Sequence, residues 1–156
     1  MSEALKPNVA VVYYSSTGTV HQLAETIGTG ASEAGAEVRL LRVDELAPKE
    51  VIANVQPWAD HTAATAHIPV ATLASQLHGG QESTLLALCN STYYFGGFVV
   101  PPGFTDPVKF ADGTSHVTGA QGEIPVDSTA RASGALQGRR IADVARTLKA
   151  GRAATA

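Results

Sequence analysis

The chain is poor in the residues that would place it outside the cytoplasm or on a nucleic acid. Its single cysteine, Cys89, rules out a disulfide within the 156 residues. With Leu85, Leu86 and Leu88 beside it, that cysteine reads as a small buried thiol on a helix. There is no charged n-region followed by an apolar h-region, and no apolar run approaches bilayer length, so a soluble cytoplasmic protein with no integral membrane segment is the expectation. Eleven Lys and Arg against 14 Asp and Glu leave a net charge of -3, with no basic cluster. That balance gives no electrostatic footprint for a nucleic acid. Also missing are a Walker A lysine and the G-x-G-x-x-G of a dinucleotide loop.

What is present is a core: 44% of the residues are hydrophobic, enough for one domain, expected over residues 1–156. The chain is organised around Tyr13-Tyr14-Ser15-Ser16-Thr17-Gly18-Thr19-Val20. This stretch follows the apolar run Val9 to Val12 and leads into Val20, Leu23, Ala24, Ile27 and Ala31 at helical spacing. A strand that turns through hydroxyl residues and one glycine into a helix aims backbone N–H groups at one spot in front of the helix. The expectation is a neutral cradle for a terminal phosphate.

The strand Val9 to Tyr14 is apolar at almost every position and predicts burial on both faces, as in the middle of a parallel sheet. The first helix is expected from about Val20 to Ala34, with Gly35 as its left-handed terminator and His21 on its solvated side. A second strand, Glu37 to Val43, alternates through Val38 and Leu40 and, with a slip, Val43, which suggests a place nearer the sheet edge. This β-loop-α-β opening predicts a doubly wound α/β fold with its ligand at the carboxyl ends of the strands.

From Asp44 to about Leu77 the pattern dissolves between Pro48, Pro57 and Pro69, and Trp58, His61 and His67 read as loop residues packed over the domain. His78-Gly79-Gly80-Gln81 then leads into a helical segment ending near Tyr94, a second place for close backbone approach to a ligand. Phe98-Val99-Val100 reads as a last core strand, stopped by Pro101-Pro102-Gly103. Asp127 or Ser128 caps a final helix carrying Leu136, Ile141, Val144, Ala145 and Leu148.

Taken in order, Tyr14 to Thr19, Gly35 to Val38, His78 to Thr84, and Gly96 to Asp106 resemble the WrbA family of flavodoxin-like NAD(P)H:quinone oxidoreductases. The resemblance covers nearly the whole chain, and Gly79-Gly80-Gln81-Glu82 and Pro101-Pro102-Gly103-Phe104-Thr105-Asp106 are its most specific segments. It implies a flavodoxin-like doubly wound parallel sheet of order 2-1-3-4-5, bound FMN, NAD(P)H as co-substrate, a quinone substrate and a homotetramer. On this resemblance Ser15, Thr17, Gly18, Thr19 and Val20 match the loop for the FMN phosphate. His78, Gly79, Gly80 and Gln81 fall on the second loop beside the flavin ring. Phe95 stands where the family often has a His or Trp facing the flavin; an aromatic wall survives there and a ring proton donor does not. His78 and His116 otherwise read as loop histidines.

The chain departs from the family in its middle. After Ile68-Pro69-Val70-Ala71-Thr72-Leu73 the family builds a core strand, a Thr/Ser-Pro-Thr-Arg-Phe/Tyr-Gly loop around the flavin ring, a helix and a further strand. Here Leu73 runs within a few residues into His78, so a strand-helix-strand unit of about thirty residues or more is absent. A smaller shortening falls near Ala111 to Thr114. Two accounts stay open. Either the sequence joins pieces of a longer chain, which predicts successive Cα atoms far beyond ~3.8 Å near these junctions, or the protein lacks the central strands. Three functions follow: the quinone reductase, a flavodoxin-type electron carrier, or a flavin-free remnant.

Overall fold

Alternating branched residues set the first strand. In the computed structural model, which describes residues 6–43, 47–56, 80–101, 114, 116–119 and 123–155, β1 spans Asn8–Tyr13. Its Val9, Val11 and Tyr13 are buried on one face, while Ala10 is exposed and Val12 half-buried on the other. Burial on both faces is therefore not what the strand shows. The helices that touch β1 all pack on the side of Val9, Val11 and Tyr13, where one apolar cluster also takes in Val20, Ala24, Ala31 and Ala142. Each of these larger side chains contributes about 1.5–3 kcal/mol by leaving water.

Helix α1, Thr19–Glu33, returns the chain beside the strand, and β2, Glu37–Arg42, pairs with β1 in parallel register from Asn8 opposite Glu37 to Tyr13 opposite Arg42. Fifteen helical residues rise about 22 Å, close to the ~20 Å of a six-residue strand, so one helix spans the crossover. Ala34 and Gly35 close α1, with Gly35 at φ 83°, as expected of a left-handed terminator. The slip expected in β2 does not occur. Arg42 continues the face of Val38 and Leu40 and is itself buried, whereas Val43 is only half-buried.

Where the sequence pattern dissolves, a short helix α2, Lys49–Ala53, follows Pro48, whose fixed φ suits a helix start. Helix α3 spans Gln81–Tyr94, and helix α4 spans Ser128–Ala154. Asp127 caps α4 by accepting the Ala130 N–H at 2.7 Å, the end anticipated from sequence.

Among the described elements, the most extensive contact joins α1 to α4. Gly30 and Gly138 sit where an added Cβ would enter the carbonyls of Ala135 and Ile27, so the two helices touch backbone to backbone. Ala31 and Ala142 are wholly buried beside this contact. Polar ties flank it: Arg131 donates to Gln22 Oε1 at 3.0 Å, Arg146 donates to the Ala34 carbonyl, and Lys149 donates to the Lys6 carbonyl at 2.8 Å.

Helix α3 makes no contact with any other described helix or strand. Leu86, Tyr93 and Tyr94 are exposed, and Cys89 is half-buried rather than buried as its leucine neighbours suggested. Phe98 to Val100 is not a strand; Phe98 is exposed and the segment has no regular secondary structure. A strand needs a neighbour to satisfy its backbone groups, and no described strand lies beside this segment. Trp58, His61, His67 and the junctions near Leu73 to His78 and Ala111 to Gly113 lie outside the described residues.

Candidate functional site

The loop from Tyr14 to Gly18 sits at the carboxyl end of β1 and is built by one serine. Ser15, 1% exposed, turns its hydroxyl inward to accept the Gly18 N–H at 3.0 Å. That bond closes a tight turn and holds Gly18 at φ 92°, a left-handed conformation that a Cβ would disfavour. Gly18 is also the residue that caps α1, and its carbonyl takes the first helical bond, from Gln22. No side chain caps the helix. The N–H groups at the start of its first turn, those of Thr19 and Val20, thus have no partner within the helix. They point to the space in front of the loop, where the helix dipole favours an anion.

Of the residues expected in this cradle, the structure brings Ser15, Thr17, Gly18, Thr19 and Val20 together, in two different roles. Thr19 and Val20 have buried side chains and offer the backbone, and Ser15, also buried, shapes the turn through its hydroxyl. Ser16 and Thr17 are half-buried and keep hydroxyls near the surface. The arrangement fits the phosphate of a bound cofactor.

Beneath the loop lies a cluster that pattern reading missed. The Tyr13 phenol and His21 Nδ1 share a hydrogen bond of 2.5 Å, their rings 5.2 Å apart, and His21 Nε2 stands 3.5 Å from Glu25. His21 is half-buried against the tyrosine rather than simply solvated. Burial raises the Tyr13 pKa above the ordinary tyrosine value; the nearby Arg42 charge opposes the shift and Glu25 adds to it. Arg42, 3% exposed, donates to the Ser15 carbonyl at 3.2 Å. The readable signal for this cluster was polar: Tyr13 and Arg42 occupy the inward positions of two alternating strands, directly opposite each other.

The second expected loop is only partly described. Gly80 has φ 102° and begins α3, with Gln81 as the first helical residue; His78 and Gly79 lie outside the described residues. Phe95 follows the last turn of α3, which closes through Gly96 at φ 71°. Its ring is 83% exposed and meets only Tyr94, edge to face at 5.4 Å among the described rings. Helix α3, which runs between Gly80 and Phe95, makes no contact with α1. His116 is buried at the base of α4, with Nε2 3.2 Å from the Ile124 carbonyl and Nδ1 3.9 Å from Asp127, so it braces the helix cap. Among the described residues no cluster of metal-ligating side chains occurs, and no helix is long and apolar enough to cross a membrane.

Comparison with known proteins agrees with this opening. Proteins named NAD(P)H dehydrogenase (quinone) are similar to the chain. That of Deinococcus radiodurans is 29% identical over 155 aligned positions, covering 67% of this chain and 78% of the relative. That of Methylocella silvestris is 28% identical over 200 positions, covering 90% and 98%. That of Bradyrhizobium diazoefficiens is 28% identical over 194 positions, covering 90% and 98%. The last two alignments are longer than the 156-residue chain itself, so segments of those relatives have no counterpart here, as an absent internal unit requires. The resemblance drawn from sequence holds, and with it the α/β fold class. Residues 11–99 match the family described as Flavodoxin, a stretch that runs from the second half of β1 through the loop, α1, β2 and helix α3, and the chain belongs to the flavodoxin family.

Proposed function

We propose that this protein catalyses the FMN-dependent two-electron reduction of quinones by NAD(P)H. The observation that carries the reading is the cradle at the start of α1: a left-handed Gly18, a hydroxyl-shaped turn and uncapped N–H groups. The names of the relatives supply the reaction. Bound FMN would supply hydride acceptance from NAD(P)H and its delivery to the quinone.

The residues present divide the remaining work. Backbone N–H groups of Ser16, Thr17, Thr19 and Val20, with the Thr17 hydroxyl, would hold the phosphate, and Ser15 shapes the turn. Gly80 and Gln81, with His78 and Gly79, would lie beside the ring, where a left-handed glycine permits close backbone approach. Phe95 would be the aromatic wall against which the ring and its two alternating substrates stack. A neutral cradle suits a cofactor that stays bound through turnover. Action as a homotetramer belongs to the same reading and rests on the resemblance alone, while a single domain and a cytoplasmic location rest on length and composition.

One observation favours a second reading, a flavin-free protein: α3, which carries Gly80 and leads to Phe95, is in contact with no other described element. Titration of the purified protein with FMN, followed by flavin fluorescence, separates the two. Quenching at one equivalent, together with NADH- or NADPH-driven reduction of benzoquinone, is the expected result. A colourless protein that leaves FMN fluorescence unchanged overturns the enzyme reading for this chain. Flavin binding without NAD(P)H-driven turnover on quinone would instead identify an electron carrier.

A further inference from the structure

Arg42 ends β2 opposite Tyr13, and its guanidinium is buried against the underside of the phosphate loop. A buried cation is costly, so a protein keeps one where its donors do something a smaller residue cannot. Here Nη2 donates to the carbonyl of Ser15 at 3.2 Å. That carbonyl belongs to the peptide joining Ser15 to Ser16, and the described chain contains no cis peptide. In a planar trans peptide the carbonyl and the following N–H point in opposite directions. Holding the Ser15 carbonyl toward the interior therefore turns the Ser16 N–H outward, to the side where the loop meets solvent.

The neighbouring bonds make this orientation consequential. The Gly18 N–H is already spent on Ser15 Oγ, so it cannot serve an anion. The donors that remain in the loop are those of Ser16 and Thr17, ahead of the uncapped first turn of α1. The aim of Ser16 is set from behind, by a side chain 27 residues further along the chain.

We infer that Arg42 is a positioning residue for the phosphate loop, fixing the Ser15–Ser16 peptide so that the Ser16 N–H faces the bound phosphate and sets the preference for phosphorylated over unphosphorylated flavin. The inference rests on the reading that this loop takes the FMN phosphate. Arg42 acts through the backbone and touches no ligand itself.

The test compares FMN with riboflavin, which differ in the phosphate alone, on wild-type protein, Arg42→Met and Arg42→Lys. Wild type is expected to prefer FMN. In Arg42→Met, FMN affinity falls about 10- to 100-fold, the range of one hydrogen bond to a charged group, while riboflavin affinity stays within about twofold. The Ser16 amide resonance, shifted by FMN in the wild type, no longer shifts in Arg42→Met. Arg42→Lys, with charge but no planar fork, falls between. Equal losses for both flavins in Arg42→Met would assign Arg42 to general stability and overturn the inference, as would an unchanged preference. If Arg42→Met does not fold, Arg42→Lys decides: a wild-type FMN to riboflavin ratio overturns the inference. A wild-type protein that binds both flavins alike overturns the phosphate reading itself, and this inference with it, which separates the two failures.

Discussion

Helices α1 and α3 both begin at a glycine with left-handed backbone, Gly18 at φ 92° and Gly80 at φ 102°, and neither has a side-chain cap. Beyond that first residue they diverge. Helix α1 buries Val20, Leu23, Ala24 and Ala31 between the β1–β2 pair and α4, whereas Leu86, Tyr93 and Tyr94 of α3 face solvent. A helix start is local chemistry, fixed by a few residues of sequence. A buried helix face needs a second surface, and for α1 that surface is supplied by the sheet and by the glycine face of α4. In a doubly wound fold the corresponding surface for such a helix is the sheet, and the described β1–β2 pair makes no contact with α3.

The sharpest way to break this comparison is to cut the same side chain on α1 that α3 exposes. Leu23 is 3% exposed, packed with Val126 and Ala130. Leu23→Ala is expected to cost about 3 kcal/mol, read as a lowered urea midpoint. Next comes Gly138→Ala, at about 2 kcal/mol. Alanine is the better helix former by about 1 kcal/mol, but its methyl would meet the Ile27 carbonyl and the Ala31 nitrogen, backbone atoms that cannot swing aside. Gly151→Ala in the same helix has open space around it and is the matched control, with no loss. If Gly138→Ala proved as harmless as the control, the backbone contact between α1 and α4 would not exist in solution.

A smaller effect is expected at the cap of α4. Asp127→Ala removes the acceptor for the Ala130 N–H and the carboxylate near His116, and should cost about 1 kcal/mol. Asp127→Asn, which keeps the acceptor, should recover most of it. Equal losses in the two variants would mean that the charge beside His116, and not the cap, carries the effect.

Legibility from sequence followed the same division between local and long-range. The strand-turn-helix start, the left-handed Gly35 and the Asp127 cap were readable because each depends on a few adjacent residues. The inward course of Arg42 was not, because apolar alternation assigned its face to Val43, and only the register against Tyr13 places the guanidinium under the loop. Phe98 to Val100 has strand composition but no described strand beside it, and composition cannot supply one. Helix α2 escaped because only Ile52 of its five residues is buried, too few to leave a period. The phosphate half of the site was legible for the same reason as the helix start. The ring half depends on bringing α3 to the loop, which no local pattern encodes.

The buried cluster under the loop adds a pH test of the packed half. Burial raises the Tyr13 pKa, so the folded protein favours the neutral phenol. The unfolded chain releases that proton near pH ~10. The stability this contributes is therefore complete below about pH 10 and is lost as pH rises through the higher folded value. Unfolding midpoints of wild type should fall more steeply above that pH than those of Tyr13→Phe, while near neutral pH the ionisation contributes no difference. Parallel curves for the two proteins would mean that Tyr13 is open to water, and that the cradle above it is not built on a dry floor.

The smallest expected effect is the most informative about α3. Leu86 is 66% exposed, so Leu86→Ala removes little buried surface and gains slightly in helix propensity. Its effect on the urea midpoint should stay within about 0.5 kcal/mol, against about 3 kcal/mol at Leu23. Exposure of Leu86, Tyr94, Phe95 and Phe98 in one stretch is nevertheless a large apolar surface for a single chain. A measured loss above about 1 kcal/mol at Leu86 would mean that α3 is covered in solution. Repeating the measurement over a range of protein concentration would then decide the cover: a midpoint that rises with concentration identifies a second copy, and a constant midpoint places the cover within the chain.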